Sequence, residues 1–133
     1  QEHSEVMMVD KTEMREKTDA ILSYTAAQLA RRIKARAIIA ETNTGATAVN
    51  VGAYRPNLPI VCVTENVKTA QKLALSYASR PYIRPNELNA ATKLAEELKR
   101  EGYFGEDPVT VVLVSGHHPE PGKTDNIQIK TLS

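Results

Sequence analysis

Three short, almost wholly apolar runs, separated by segments with helical periodicity, constrain the fold of this chain more than any other feature. The runs are Ala37–Ala40, Pro59–Thr64 and Val109–Val114. Unbroken apolar runs of this length are typical of strands that are buried on both faces of a parallel sheet. Parallel neighbours need a crossover connection, which is usually a helix. The sequence therefore predicts a parallel sheet that is covered by helices on both faces.

The first predicted helix begins near Lys11, because Asp10 and Glu13 stand in the spacing of a capping box. Its expected buried stripe recurs at steps of three and four residues and consists of Met14, Thr18, Ile21, Leu22, Thr25, Leu29 and Ile33. The basic residues Arg31–Arg36 follow this stripe and complement the negative end of the helix dipole.

The rest of the chain contains further helices and two weaker strands. A short helix is predicted to run through Val51, Asn66 caps the next helix, and a longer one spans about Asn86–Arg100. A short extended piece, Pro81–Ile83, separates the last two helices.

The chain ends in a segment where Ile127, Ile129 and Leu132 alternate with polar residues, which predicts a half-buried strand. A loop without a helix joins it to its predecessor, so it is expected to be antiparallel. The predicted fold is a three-layer α/β domain with about five strands, mostly parallel, with an antiparallel last strand. Residues 1–16 are interpreted as a lead-in segment and residues 17–133 as the domain.

Composition and charge exclude several classes of protein. The 133 residues are 41% hydrophobic, which fits one globular domain. With 17 Lys and Arg against 16 Asp and Glu, neither a nucleic acid nor a membrane is an expected partner. No apolar run approaches the about 18 residues of a membrane span. The single cysteine, Cys62, lies within a predicted buried strand, so it is interpreted as a core residue, and it favours a reducing, cytoplasmic location.

The turn after the first predicted strand is the leading candidate for a binding site. Hydroxyl groups and a glycine stand there between the carboxyl end of a strand and the start of a helix, where backbone N–H groups and the helix dipole favour an anion. The candidate phosphate-binding residues are Thr42, Asn43, Thr44, Gly45 and Thr47. The alternative is that one threonine merely caps the following helix.

The loop at residues 115–125 is the second candidate, because it leaves a strand end at the same edge of the sheet. Its residues expected to close over an anion are Gly116, His117, Gly122, Lys123 and Thr124. The alternative is a flexible hairpin loop whose histidines face water. The pair His117–His118 lacks a third ligand at suitable spacing, so no metal site is expected. No nucleophile is combined with a base, so no catalytic residue is expected either.

Two segments together identify a family. The run ARAIIAETNTGATA at residues 35–48, followed by YRPNLPIVCVT at residues 54–64, resembles the C-terminal domain of pyruvate kinase. In that family an alanine-rich helix leads into a short strand, a threonine- and glycine-containing turn, a Tyr-Arg-Pro segment and a strand that ends in Val-Thr. The likeness continues through Val111–Gly116 to Thr124–Asn126 and covers roughly residues 17–133.

The resemblance implies a regulatory role rather than a catalytic one. In the family, phosphoryl transfer from phosphoenolpyruvate to ADP, a step of glycolysis, takes place in a separate barrel domain. That barrel also holds the Mg and K ions, so no cofactor is implied for the domain in this chain. The implied partners are the barrel, further copies of the chain in a tetramer, and a sugar phosphate or nucleotide monophosphate effector. The turn matching Thr42–Thr47 is implied to hold the phosphate, and the loop matching Gly116–Thr124 to close over the effector.

The sequence also departs from the family pattern. Members regulated by fructose bisphosphate often have a Lys or Arg within the turn, where this chain has Asn43 and Ala46, and an Arg near the position of Asn89–Ala91. With fewer fixed cations, a doubly phosphorylated sugar is expected to bind less well than a monophosphate. Two alternatives stay open: a self-association module that binds no small molecule, and a free-standing sensor that has kept the fold.

Overall fold

A computed structural model of the chain describes residues 11–42, 45–53, 57–75, 79–85, 87, 89–115 and 126–133. Within these ranges, side chains are described for every residue except 11–19 and 79. The helices in these ranges are α1 (Lys11–Arg32), α2 (Ala46–Ala53), α3 (Val67–Ala74) and α4 (Ala90–Arg100). The strands are β1 (Ala37–Glu41), β2 (Ile60–Thr64), β3 (Ser79–Ile83), β4 (Val109–Ser115) and β5 (Asn126–Leu132).

The strands form one sheet in the order β3-β2-β1-β4-β5. β1 is parallel to both of its neighbours, β2 and β4, and β2 is parallel to β3. β5 is antiparallel to β4 and forms an edge of the sheet. The predicted mostly parallel sheet with an antiparallel last strand is therefore confirmed.

Helices cover both faces of the sheet, and each face has its own apolar core. On one face, α1, α2 and α3 pack over Ile38, Ala40 and Cys62, so the interpretation of Cys62 as a core residue is confirmed. On the other face, α4 packs through Leu94 and Leu98 against alternate residues of β1, β2 and β4. The three-layer architecture is thus confirmed. The carboxyl ends of the parallel strands lie together at one edge of the sheet.

The helix α1 was predicted correctly, but its buried face was not. Its buried residues are small: Ser23, Ala26, Ala27 and Ala30. Ile21 is 67% exposed, Thr25 and Ile33 are also exposed, and Leu22 and Leu29 are only partly buried. The predicted stripe is wrong at the exposed positions because short side chains let the helix approach the sheet closely, and this turns the larger side chains outward. Met14 and Thr18 lie outside the residues whose side chains are described.

Two further helix predictions have different outcomes. Asn66 caps α3 as predicted, because its side-chain oxygen accepts a hydrogen bond of 3.1 Å from the Thr69 N–H. The last helix begins at Ala90 rather than near Asn86, because Asn89 has a non-helical φ of −116°. The proposed domain boundary at residue 17 falls within α1, and it stays a prediction.

Candidate functional site

The carboxyl ends of the parallel strands meet at one edge of the sheet. In the register of β1 with its neighbours, Glu41 lies opposite Val63 of β2 and Ser115 of β4. The Thr42 N–H donates a 3.1 Å hydrogen bond to the Val63 carbonyl and so fixes the first residue beyond β1. The beginning of the threonine turn is therefore held against the neighbouring strand.

The chain leaves this edge in two directions, which creates a crevice between β1 and β4. After β1 it passes through α2 to β2, on the face that α1 and α3 also cover. β4 lies on the other side of β1, and the helix that precedes it, α4, covers the opposite face. Open α/β sheets bind ligands at such a switch point, outside the carboxyl ends of the strands.

The threonine turn is closed by its own hydrogen bonds. The Thr42 hydroxyl accepts a 3.1 Å bond from the Gly45 N–H, and the Gly45 carbonyl accepts one of 3.0 Å from the Val49 N–H in the first turn of α2. Gly45 has a φ of +89°, a conformation that favours glycine. The structure thus brings Thr42, Gly45 and Thr47 together at the start of α2, while Asn43 and Thr44 lie outside the described residues. The hydrogen bond from the Gly45 N–H to the Thr42 hydroxyl fits the alternative in which a threonine caps the helix. This applies to Thr42 and not to Thr47.

Thr47 differs from Thr42, because its hydroxyl has no partner. The side chain is fully buried, and its Oγ1 atom makes no hydrogen bond within the described part of the protein. Ser23 of α1 is the other described residue with a buried hydroxyl of this kind. Buried polar atoms are normally satisfied, so each exception needs an explanation. A buried hydroxyl without a described partner therefore stands at the second residue of α2.

The second candidate segment lies almost entirely outside the described residues. All of its predicted site residues lie outside the described ranges: Gly116, His117, Gly122, Lys123 and Thr124. The two ends of the loop are described, and Ser115 pairs with Asn126 at the end of the β4–β5 ladder. Both ends therefore stand at the same edge as the threonine turn, whereas the anion contacts of this loop stay a prediction.

A cavity of about 210 Å³ opens in the crevice between β1 and β4, and α4 forms its wall. Its described lining consists of Glu41, Asn89, Ala91, Thr92, Leu113, Val114, Ser115, Asn126 and Gln128. The lining is mainly polar and includes the side chain of Glu41, which is only 8% exposed. No Lys, Arg or His is among these described lining residues. Among the described lining residues, Glu41 is the acidic one.

The described residues contain neither a metal cluster nor a membrane-spanning helix. No group of three His, Cys, Asp or Glu side chains within these ranges is arranged to hold a metal ion. None of the described helices has the length and apolar character needed to cross a bilayer.

The sequence model of the family described as pyruvate kinase, alpha/beta domain, matches residues 19–130, which is most of the chain. The chain belongs to this family. The pyruvate kinase of Clostridium acetobutylicum is 38% identical over 119 residues, which cover 86% of this chain and 25% of that enzyme. Pyruvate kinase 2 of Synechocystis is 29% identical over 114 residues, which cover 84% of this chain and 19% of the relative. The chain thus spans a quarter or less of these relatives.

The solved structures agree with the fold of a pyruvate kinase α/β domain. A Cryptosporidium parvum pyruvate kinase, solved in complex with ADP, superimposes with a TM-score of 0.74 and 23% sequence identity. The match covers 86% of this chain and 24% of that chain. At this identity the likeness concerns the fold alone, and it confirms the predicted α/β architecture.

Two charged residues of this pyruvate kinase domain were missed from the sequence as site residues. Glu41 ends an otherwise apolar strand, but only the order of the strands places it beside the cavity. Arg84 directly follows β3, and its N–H donates a 3.0 Å bond to the Thr64 carbonyl at the same edge. Its importance depends on a partner 13 residues away, which no local pattern reveals.

That partner is Glu97 of α4, which binds Arg84 through two hydrogen bonds. Nε of Arg84 lies 3.3 Å from Oε1 of Glu97, and Nη2 lies 2.6 Å from Oε2. The hydrogen bonds from Arg84 lower the pKa of the Glu97 carboxyl and raise that of the arginine, so both groups are charged at neutral pH. The guanidinium also lies 5.4 Å from the centre of the Tyr82 ring. The cation of Arg84 is therefore already engaged within the protein.

Proposed function

We propose that this domain binds a phosphorylated effector at the Thr42–Thr47 turn and regulates the pyruvate kinase of which it forms part. The observation that carries the proposal is the buried, unpartnered hydroxyl of Thr47 in the first turn of α2. A phosphate oxygen beside it supplies the missing hydrogen-bond acceptor. The same position faces the positive end of the α2 dipole.

The described backbone at Gly45 supports the proposed phosphate site. Gly45 has a φ of +89°, a conformation that favours glycine, and its N–H meets the Thr42 hydroxyl. This hydrogen bond ties Gly45 to Thr42 before a ligand arrives. Less conformational freedom is then lost on binding, which favours affinity.

The proposed regulation follows from differential affinity. An effector shifts an enzyme between two states only if it binds one state more tightly than the other. The parent enzyme is proposed to be a cytoplasmic glycolytic kinase that transfers a phosphoryl group from phosphoenolpyruvate to ADP in a separate barrel, where its Mg and K ions bind. In this arrangement the domain senses a metabolite and the barrel carries out the reaction.

Titration calorimetry of the chain with inorganic phosphate tests the proposed site directly. Thr47→Val keeps the shape of the side chain and removes the hydroxyl, so it is expected to weaken phosphate binding about tenfold, the effect of one hydrogen bond to a charged group. The free energy of unfolding is expected to stay the same or to rise, because the lost hydroxyl had no partner in the protein.

The matched control is Ser23→Ala, which removes the other buried, unpartnered hydroxyl from α1. It is expected to leave phosphate binding unchanged. Equal affinities in Thr47→Val and the wild-type chain exclude the turn as the site. An equal loss in both variants points to a general effect on the fold.

A second candidate function, self-association, is favoured by apolar side chains on the outer surface of α1 and α2. Ile21 of α1 is 67% exposed and Val49 of α2 is 60% exposed, and these two helices pack against each other. Tyr24 of α1 is also exposed. Large exposed apolar side chains on adjacent elements are a feature of protein interfaces.

Sedimentation velocity tests this second function. The wild-type chain is expected to form oligomers at micromolar concentration, and Ile21→Glu to shift it to a monomer. Leu75→Glu is the control, because Leu75 is 89% exposed but follows α3, which packs near β3 at the opposite edge of the sheet. A wild-type chain that stays monomeric at every concentration contradicts self-association.

A further inference from the structure

The amino ends of three neighbouring strands surround a larger cavity, at the edge of the sheet opposite the threonine turn. Its volume is about 430 Å³, which lies within the about 300–1,000 Å³ of pockets that bind small molecules. Three described segments line it: residues 33–36 before β1, residues 57–59 before β2, and residues 108–110 at the start of β4. Because these strands are parallel, their amino ends share one edge, and the cavity is separate from the proposed phosphate site.

Main-chain hydrogen bonds hold the lining segments of this cavity in place. The Arg36 N–H donates a 2.8 Å bond to the Thr110 carbonyl, and the Ile38 N–H donates a 3.0 Å bond to the Pro59 carbonyl. These two bonds join the start of β1 to the starts of both neighbouring strands. A ligand therefore meets a backbone that is already ordered, which favours affinity.

Lys34, which lines the cavity, has a backbone conformation that favours glycine. Its φ is +56°, and it is the non-glycine residue with a positive φ in the described part of the chain. Just after α1, its N–H bonds to the Arg31 carbonyl at 3.3 Å and the Ala35 N–H to the Ala30 carbonyl at 2.9 Å, a pattern in which glycine is usual at this position. A glycine avoids the steric cost but carries no charge. Strained residues are concentrated at functional sites, so the strain supports a role for the Lys34 cation.

Lys34 and Arg36 place two exposed cations in the lining of this cavity. Neither forms an ion pair with another described residue, and this includes Glu106 and Asp107, which lie in the turn that leads into β4. Residues 54–56, which precede one lining segment in the sequence and lie outside the described ranges, contain no Asp or Glu. The two cations are therefore available to an anion from solution.

The dipole of α1 does not account for these two cations. Arg31 and Arg32 lie in the last turn of the helix, where they balance the negative end of the dipole. Lys34 and Arg36 lie beyond the helix, so four like charges stand within six residues and repel one another. A bound anion relieves this repulsion.

We propose that this cavity binds a small dicarboxylate. Its two carboxylates match the two cations, and the planar guanidinium of Arg36 fits a carboxylate through paired hydrogen bonds. The amide of Asn57 adds a neutral hydrogen-bond donor to the lining. Leu58 and Val109 provide apolar lining for the short hydrocarbon chain between the carboxylates.

Titration calorimetry of the full chain with succinate and with butyrate, at constant ionic strength, tests the proposal. The two probes have the same number of carbon atoms, but only succinate has a second carboxylate. Succinate is expected to bind about tenfold more tightly than butyrate. Lys34→Gln and Arg36→Gln each remove one cation, and each is expected to weaken succinate about tenfold and so to abolish the preference over butyrate.

Two further variants separate the site from the fold and from net charge. Lys34→Gly removes the cation and relieves the positive φ, so it is expected to weaken succinate about tenfold while it raises the midpoint of thermal unfolding. Damage to the fold cannot produce this combination. Lys68→Gln removes the same charge from an exposed residue near the start of α3, at the other edge of the sheet, and is expected to leave succinate binding unchanged.

Three results overturn the proposal: no binding of succinate, equal binding of succinate and butyrate, or succinate binding that survives both Lys34→Gln and Arg36→Gln. An equal loss in Lys68→Gln also overturns it, because the effect is then one of net charge. Thr47→Val is expected to leave succinate binding unchanged, and the Lys34 and Arg36 variants are expected to leave inorganic phosphate binding unchanged. The dicarboxylate site and the proposed phosphate site are thus tested separately.

Discussion

Leu94→Ala is expected to lower the free energy of unfolding by about 3 kcal/mol. Leu94 lies at the centre of α4, is almost completely buried, and packs in the core beneath β1, β2 and β4. Truncation removes its apolar contacts and leaves a cavity, because strands on one side and the helix backbone on the other cannot fully collapse into the space. The loss shows as a lower midpoint in urea denaturation with an unchanged slope.

Leu75→Ala is the matched control for this variant. Leu75 undergoes the same change in side chain, but it is 89% exposed at the end of α3. Its effect is expected to stay within about 0.5 kcal/mol, as for most surface substitutions. Equal destabilisation in the two variants contradicts the described packing of α4.

Gly45→Ala is expected to destabilise the fold by about 1–2 kcal/mol and to abolish detectable phosphate binding at millimolar concentration. The first effect follows from the φ of +89°, which an L residue with a Cβ atom adopts at a cost of this size. The second follows from its place in the turn, because a backbone change that relieves this strain moves the Gly45 N–H away from the Thr42 hydroxyl. Within the protein the added methyl group meets Thr69 Cγ2 at 3.4 Å and Leu73 Cδ2 at 3.5 Å. Thermal unfolding and phosphate titration measure the two effects.

Gly105→Ala separates the backbone effect from the effect on the site. Gly105 has a similar φ of +83°, lies in the turn that follows α4, and has open space around it. It is expected to cost about the same stability and to leave phosphate binding intact. If both variants bind phosphate equally well, the surface at Gly45 is not where the anion sits.

Local patterns were sufficient to predict the strands and the existence of the helices. The apolar runs at β1, β2 and the middle of β4 are buried on both faces of the sheet. Short unbroken apolar runs that are bounded by turns are typical of such strands. The packing face of α1 was not predictable from hydrophobicity, because the alanines at 26, 27 and 30 carry little apolar surface, and a periodicity argument gives more weight to Ile21. Close approach of the helix to the sheet decides the face, and this is a tertiary effect.

The grouping of candidate residues was predictable where they are contiguous in sequence and not where it depends on strand order. Thr42, Gly45 and Thr47 lie within six consecutive residues, so a turn between a strand and a helix was enough to group them. Glu41 becomes a site residue only because β4 lies beside β1 and α4 covers that face. Arg84 is likewise defined by its bond to Glu97, which belongs to another element.

The division of α1 into a small-residue face and a large-residue face separates two kinds of evolutionary constraint. Ala26 and Ala30 pack in the same core as Ile38 and Ala40 of the sheet, and a larger side chain at either position pushes the helix away from it. Ile21 and Tyr24 point outward, so they can change in size and polarity at almost no cost to folding. Relatives can therefore diverge in what they contact through this helix while the domain itself stays the same.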